Sequence, residues 1–257
     1  PMVGKGNENR KFAILPSVAD CTGCSSCANV CPAKNKALVM KPIEEELDQQ
    51  KYFDYAVGHV SYKTDTGFAP NTVKGSQFLE PRLEFPGACA GCGESPYARL
   101  VTQLFGDRMF IANATGCTSI WGGSAPTTPY TVGRDGKGPA WVNSLFEDNA
   151  EFGFGMATAS EQLRDRAKLL AEKVAAETSD AALKAAAEAW IASFKDGEAT
   201  KKTGPALEAA LKAAIEKNAD AKAMADIREL YSLISAIAFA SRSEEHTSEL
   251  QSRQYLV

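Results

Sequence analysis

Residues 21–32 read CTGCSSCANVCP, placing Cys21, Cys24, Cys27 and Cys31 within eleven positions and a proline directly behind the last. Two-residue gaps let three thiolates wrap one corner of an iron-sulfur cube while backbone N–H groups point at its sulfides. The following turn carries the fourth thiolate away, to a different cluster where a protein holds two. A zinc site usually pairs two C-x2-C units across a loop or includes histidine, and a disulfide pair needs an oxidising compartment, so the spacing favours a 4Fe-4S cluster. Three further cysteines are less telling by themselves. Cys89 and Cys92 form one C-x2-C in GACAGCGE, and Cys117 sits in NATGCTSIWGG. A lone C-x2-C serves a redox dithiol, half of a zinc site or part of a cluster, and three thiolates leave one metal site a ligand short.

These residues need elements to hold them. KFAILP at 11–16 reads as a short strand leading into the first run, and Pro32 ends any helical turn built on CSSCANVC. IEEELDQQKYFDYAVGHV is helix-like and mostly solvated by its charges. From Ser61 to Pro86 the chain is rich in Gly, Pro, Thr and Asn, a connector that puts a domain boundary near residue 62. SPYARLVTQLF has apolar residues at 97, 98, 100, 101, 104 and 105, a helical face ending at Gly106. RMFIANAT then reads as a strand stopping at a Gly-Cys pair, and a chemistry-bearing turn at a strand's C-terminal end is the pattern of an open α/β sheet. Residues 144–177 read as a glycine-containing approach followed by a long helix. The alanine- and lysine-rich remainder reads as several packing helices punctuated by KDGEATKKTGP.

Composition narrows the function classes. The chain has 257 residues, 44% of them hydrophobic, and a net charge of -4, which speaks for a folded core and against nucleic-acid or anionic-membrane binding. Its most apolar stretch, LYSLISAIAFA at 230–240, is short of a bilayer span, so no membrane association is expected. The N-terminus lacks the apolar core of a secretory signal and does not open on methionine, as expected of a chain cut from a longer one. An odd count of seven cysteines in tight clusters fits a reducing cytoplasm. RSEEHTSELQSRQYLV at 242–257 resembles a translated sequencing adapter and is set aside, which leaves His59 as the histidine of interest.

Together, DCTGCSSCANVCPAKNKAL and FPGACAGCGESPYARLVTQLFGDRMFIANATGCTSIWGGSAPTTPY resemble the pyruvate:ferredoxin (flavodoxin) oxidoreductase family. The resemblance runs from about residue 11 to 241, strong in the two cysteine blocks and vague in the alanine-rich helices. It implies an α/β chain: the C-terminal half of a ferredoxin-like (α+β) 4Fe-4S domain over residues 1–62, then an incomplete open α/β thiamine-diphosphate-binding domain with peripheral helices over 63–241. It makes Cys89, Cys92 and Cys117 three ligands of the 4Fe-4S cluster nearest the thiamine, with Glu94 and Cys117 also contacting that cofactor. A plainer role for Glu94 is a first-turn acid favourable to the helix dipole.

The implied reaction is oxidative decarboxylation of pyruvate with coenzyme A to acetyl-CoA and CO2. Electrons pass through 4Fe-4S clusters to ferredoxin or flavodoxin in a homodimeric enzyme that also holds Mg2+. The sequence departs from the family pattern in having no GDG motif after a further strand and no eighth cysteine for the thiamine-proximal cluster. By itself the chain is therefore expected to be inactive. Two other readings stay open: a ferredoxin-like carrier fused to a helical domain, which predicts a second four-cysteine run near residues 1–20 that is absent, and a zinc-stabilised structural module. The shared-cluster reading expects Cys21, Cys24 and Cys27 to point into one hollow with Cys31 turned away, and Cys89, Cys92 and Cys117 to converge at a second.

Overall fold

The computed structural model describes residues 6–124, 128–145, 148–217 and 223–237. It combines helices with a small parallel two-stranded sheet, an α/β composition. The chain divides into two compact units that do not follow chain order. The first runs to Gly106 and takes back Ile120–Gly138; the second holds Asp107–Ser119 and the chain from Pro139 on. The adapter-like segment 242–257 lies outside the described residues.

The first unit carries α1 (Ser26–Val30), α2 (Ile43–Glu46), α3 (Gln50–His59), α4 (Val73–Ser76) and α5 (Ser95–Phe105). A single turn of 3-10 helix, Leu47–Gln49, joins α2 to α3, so the helix expected from residue 43 onward is present with one tightened turn. KFAILP is not a strand. Residues 11–16 have no regular structure, and Phe12, Ile14 and Leu15 are exposed. An extended segment becomes a strand only when a neighbour takes its backbone hydrogen bonds, and no described residue does so here.

Apolar burial in this unit is sparse, with Val18, Leu83, Trp121 and Tyr130 its buried hydrophobic residues. Polar ties connect distant stretches instead. The buried Asn7 donates from Nδ2 to the Thr66 carbonyl at 2.9 Å, and Arg10 pairs with Asp65 at 2.6 Å. The largest tie is built on Arg82, whose guanidinium reaches both oxygens of Asp135 at 3.0 and 2.9 Å and donates to the Lys137 carbonyl. An antiparallel bridge between Leu83 and Tyr130 holds the same two stretches together. In α5 the face expected to be buried is half-buried except at Tyr97, which is exposed, while Thr102 and Gln103 are the buried positions. Both side chains find partners: Thr102 Oγ1 donates to the Ala98 carbonyl at 2.9 Å, and Gln103 Nε2 donates to the Leu79 carbonyl at 3.4 Å. The helix ends at Gly106 as expected, but with φ at -63° rather than left-handed. Glycine is needed there for room, since a Cβ would come within 2.8 Å of Arg82 Cδ.

The Arg82–Asp135 pair has a pH consequence. Burial pushes the Asp135 carboxyl up, but the Lys137 N–H and then the Arg82 guanidinium outweigh it and hold it below the usual carboxylate range. A depressed native value contributes stability that is complete above the ordinary carboxylate pKa near 3.9 and is lost as pH falls through the native value. With the Asp135 side chain 45% exposed, solvent screening limits the contribution to about 1 kcal/mol. Denaturant midpoints of wild type and Asp135→Asn should differ at pH 7 and converge toward pH 3. A constant difference across that range would show that Asp135 does not titrate in this pair.

The second unit contains β1 (Phe110–Ala114) and β2 (Ala140–Ser144), paired in parallel with Phe110 opposite Ala140 and Ala114 opposite Ser144. β1 is buried from Ile111 to Ala114, which matches its mainly apolar run, with Asn113 the one polar residue within it. β2, AWVNS, has no counterpart in the sequence reading: it is short, mostly exposed and without clean alternation. The Cys117–Ser119 turn, α6, follows β1.

Four helices complete the unit: α7 (Asn149–Glu177), α8 (Ala181–Ser193), α9 (Gly197–Lys217) and α10 (Met224–Ile237). The glycine-containing approach is itself helical, since α7 begins at Asn149 and runs through Gly153 and Gly155. Buried residues recur at helical spacing, with Ala167, Leu170, Ala171 and Val174 on α7 and Leu183, Ala187 and Trp190 on α8. Leu207, Leu211 and Ala214 on α9 and Ile227, Leu230 and Ile234 on α10 complete one core. Small alanines at the seam let the helices approach closely.

KDGEATKKTGP punctuates the helices only at its start, where Lys195 and Asp196 lie between α8 and α9; from Gly197 on it is helical. Asp196 caps α9 by accepting the Glu198 and Ala199 N–H groups at 2.9 and 3.0 Å, and Pro205 lies inside the helix. Proline there forgoes one backbone hydrogen bond. Burial of Thr200, Gly204 and Leu207 on the same face offsets that loss, so packing overrides local propensity. Among the described residues, no helix is long and apolar enough to cross a membrane.

Candidate iron-sulfur and cofactor site

All seven cysteines are free thiols. In the first run Cys21, Cys24 and Cys27 are exposed and Cys31 is half-buried. Two left-handed residues separate the first three: Gly23 with φ 68° and Ser25 with φ 64°, just ahead of α1, which carries Cys27. Left-handed residues in a short turn make concave rows of backbone N–H groups, the kind of surface that faces an anionic cluster. Glycine reaches this conformation without steric cost, whereas Ser25 gives up about 1 kcal/mol to do so.

Two of these thiols are biased toward the thiolate, the form that binds metal. The Ser26 side chain and then its N–H hold Cys24 below the ordinary thiol value. The N–H groups of Ala33 and Leu38, helped by Ala37 and the charge of Lys36, do the same for Cys31.

The Cys89–Cys92 turn repeats this plan. Gly91, like Gly23, stands one place before the second cysteine and has φ at 74°, and the Cys92 N–H closes the turn on the Cys89 carbonyl at 2.9 Å. Open space surrounds both glycines, so it is the backbone angle rather than crowding that calls for glycine. Two residues on, Glu94 occupies the cap position of α5. Its carbonyl accepts the Tyr97 and Ala98 N–H groups at 3.0 and 3.1 Å, while its carboxylate makes no cap bond. The half-buried carboxylate is thus uncommitted to hydrogen bonds with the helix it begins.

Beside that helix start lies a cavity of about 320 Å³, lined by Leu83, Glu84, Phe85, Ser95 and Arg99 among others. Burial pushes the Glu84 carboxyl up, and the Arg99 charge acts against that rise. Nothing in the sequence singled out these residues, because Glu84 and Arg99 come together only once the extended stretch before Gly87 packs on α5.

Cys117 belongs to the second unit, where it is exposed on the turn after β1. Its two followers, Thr118 and Ser119, are buried. Ser119 Oγ accepts the Gly116 N–H at 2.8 Å and donates to the Gly116 carbonyl at 2.5 Å, closing the turn around the thiol. A polar network also ties the ends of the two strands. Thr115 Oγ1 donates to the Ser144 carbonyl at 2.8 Å and accepts from Asn143 Nδ2 at 3.2 Å. The fully buried Asn113 donates from Nδ2 to Asn143 Oδ1 at 3.0 Å, and Ser144 Oγ donates to Asn149 Oδ1 at 3.0 Å. Sequence reasoning missed Asn113, Asn143 and Asn149; the first two carry one signal, asparagine near the C-terminal end of an apolar run, and Asn149, behind Glu147 and Asp148, carries none.

The donor chemistry fits iron-sulfur clusters: free thiols in two blocks, two of them held toward thiolate, on turns with left-handed residues. Among the described residues no group of three or more His, Cys, Asp or Glu side chains is set to hold a metal ion.

Comparison with known proteins gives the context. No family model matches the chain. It is 54% identical over 209 residues to a pyruvate:ferredoxin oxidoreductase of Moorella thermoacetica, covering 81% of this chain and 18% of that protein. It is 48% identical over 214 residues to a pyruvate-flavodoxin oxidoreductase of Klebsiella pneumoniae, with the same two coverages of 81% and 18%. A pyruvate dehydrogenase [NADP(+)] of Cryptosporidium parvum is 54% identical over 156 residues, 60% of this chain and 8% of that protein. The chain spans less than a fifth of the length of these curated relatives. Identity at this level over about four fifths of the chain means that the chain belongs to the pyruvate:ferredoxin (flavodoxin) oxidoreductase family.

Proposed function

We propose that this chain is the part of a pyruvate oxidoreductase that carries its electron relay and one wall of its thiamine diphosphate site. The whole enzyme converts pyruvate and coenzyme A to acetyl-CoA and CO2, delivers electrons to ferredoxin or flavodoxin, and works as a homodimer in the cytoplasm. The observation that carries the proposal is the repeated C-x-G-C turn, with Gly23 and Gly91 both left-handed ahead of the second cysteine, together with an exposed cysteine at the end of a parallel strand. Ligands of open parallel sheets sit at that end.

Residues 1–62 form the C-terminal half of a ferredoxin-like domain, in which Cys21, Cys24 and Cys27 hold one 4Fe-4S cluster and Cys31 serves another. Residues 63–241 begin the thiamine-diphosphate-binding domain, in which Cys89, Cys92 and Cys117 hold the cluster nearest the cofactor. Thiamine diphosphate, bound with Mg2+, supplies the electron sink that allows a 2-oxoacid to lose carbon dioxide. Glu94 contributes a carboxylate free of its own helix cap, able to hydrogen bond and orient that cofactor. Cys117 presents its thiol beside it from a closed turn.

The test uses the full-length protein containing this segment, reconstituted anaerobically with iron and sulfide. Iron counting and EPR should find reducible 4Fe-4S clusters, and pyruvate with coenzyme A should reduce ferredoxin or flavodoxin. Zinc with no reducible iron would overturn the electron-relay reading. Loaded clusters without pyruvate-dependent reduction would overturn the enzyme assignment alone.

A further inference from the structure

We propose that Thr115 is a positioning residue for Cys117, an inference that rests on the reading of Cys117 as a cluster ligand. Cys117 stands exposed on a turn of five residues, 115–119, and both ends of that turn are tied down. At the far end Ser119 Oγ bonds the Gly116 N–H and carbonyl. At the near end two hydrogen bonds meet at one hydroxyl. Thr115 Oγ1 donates to the Ser144 carbonyl at 2.8 Å and accepts from Asn143 Nδ2 at 3.2 Å, joining the end of β1 to the end of β2.

Each partner is itself held. Asn143 Oδ1 accepts from Asn113 Nδ2, which is fully buried in β1 and also donates to the Ala114 carbonyl at 2.7 Å, so swinging away would cost a buried amide one of its two bonds. Ser144 Oγ donates to Asn149 Oδ1 at the start of α7, which is 3% exposed. The Thr115 hydroxyl is the point where this network meets the chain leading to Cys117, although Thr115 is itself exposed and contributes nothing to the core. Partners that orient a ligand set its position and electronic character even though they never touch the metal.

Thr115→Val keeps the shape and removes both hydrogen bonds, and exposure of the site makes unfolding no part of the expected result. Thr115→Ser keeps the hydroxyl and is the rescuing variant. Both are compared with wild type in the full-length protein. Amide hydrogen exchange across 116–119, which needs no loaded cofactor, should quicken about tenfold in Thr115→Val and stay near wild type in Thr115→Ser. In the reconstituted protein the EPR signal of one reduced cluster should shift in Thr115→Val, with a fall in kcat of about 10- to 100-fold at unchanged pyruvate KM. Wild-type exchange and an unshifted spectrum in Thr115→Val would overturn the proposal. Should the wild-type protein hold no reducible iron, the ligand reading of Cys117 fails by itself, and the exchange comparison still decides whether Thr115 fixes the turn.

Discussion

Alanine in place of Trp190 should destabilise the helical bundle by about 3–5 kcal/mol. Trp190 is fully buried in the core shared by α7, α8, α9 and α10, with its ring 5.4 Å from that of Phe194 in an edge-on contact. Arg164 reinforces the far side, stacking 4.5 Å over Phe194 and donating to its carbonyl at 2.8 Å. The alanines that line this seam have no longer side chain with which to fill the space, so the cavity would stay open and the full penalty would be felt. Trp190→Phe should cost clearly less. It keeps a ring against Phe194 and removes an indole N–H that has no hydrogen-bond acceptor. Chemical denaturation followed by helical circular dichroism checks the order wild type, Trp190→Phe, Trp190→Ala. If Trp190→Ala shifted the midpoint no more than Leu169→Ala, at a position 65% exposed, the bundle core would be wrongly assigned.

Serine substitutions in the first cysteine run should separate two clusters in the full-length enzyme. Losing a thiolate ligand leaves a cluster open to solvent, and electron delivery to ferredoxin or flavodoxin should fall by about 100-fold in each single variant. The diagnostic comparison is between double variants. Cys21→Ser with Cys24→Ser should lose the iron of one cluster, whereas Cys24→Ser with Cys31→Ser should lose that of two, read by iron counting and by EPR. Equal losses would mean that Cys31 shares a cluster with its neighbours, and the relay would have one centre fewer in this region. The local structure leaves room for the difference, since Cys31 lies beyond the end of α1 with its own set of N–H donors from Ala33 and Leu38.

The two largest features of the candidate site were legible without coordinates. Cysteine spacing is a property of the chain itself, so the repeated two-residue gap and the glycine before the second cysteine imply their turns by local geometry alone. The same holds for α5, bounded by Glu94 and Gly106, and for β1, whose apolar run is buried nearly throughout. Other features were not legible, and each has a physical cause. KFAILP has the residues of a strand but no partner to pair with. AWVNS has strand-favouring Trp141 and Val142 but is too short and too exposed to stand out, and it pairs because β1 offers it an edge in register. Gly204 and Pro205 look like a break and lie inside α9, because Gly204 packs on the bundle with Thr200 and Leu207 while Pro205 faces outward. Propensity acts over a few residues, whereas pairing and burial are decided by groups far away in sequence.

What the sequence determined, then, is which atoms are available: seven thiols in two blocks, with glycines placed to turn the backbone beneath two of the pairs. Tertiary structure alone decided what holds them, because the supports are contacts between residues distant in the chain. Arg82 finds Asp135 across more than fifty residues, and Thr115, two residues before Cys117, finds Asn143 and Ser144 across nearly thirty.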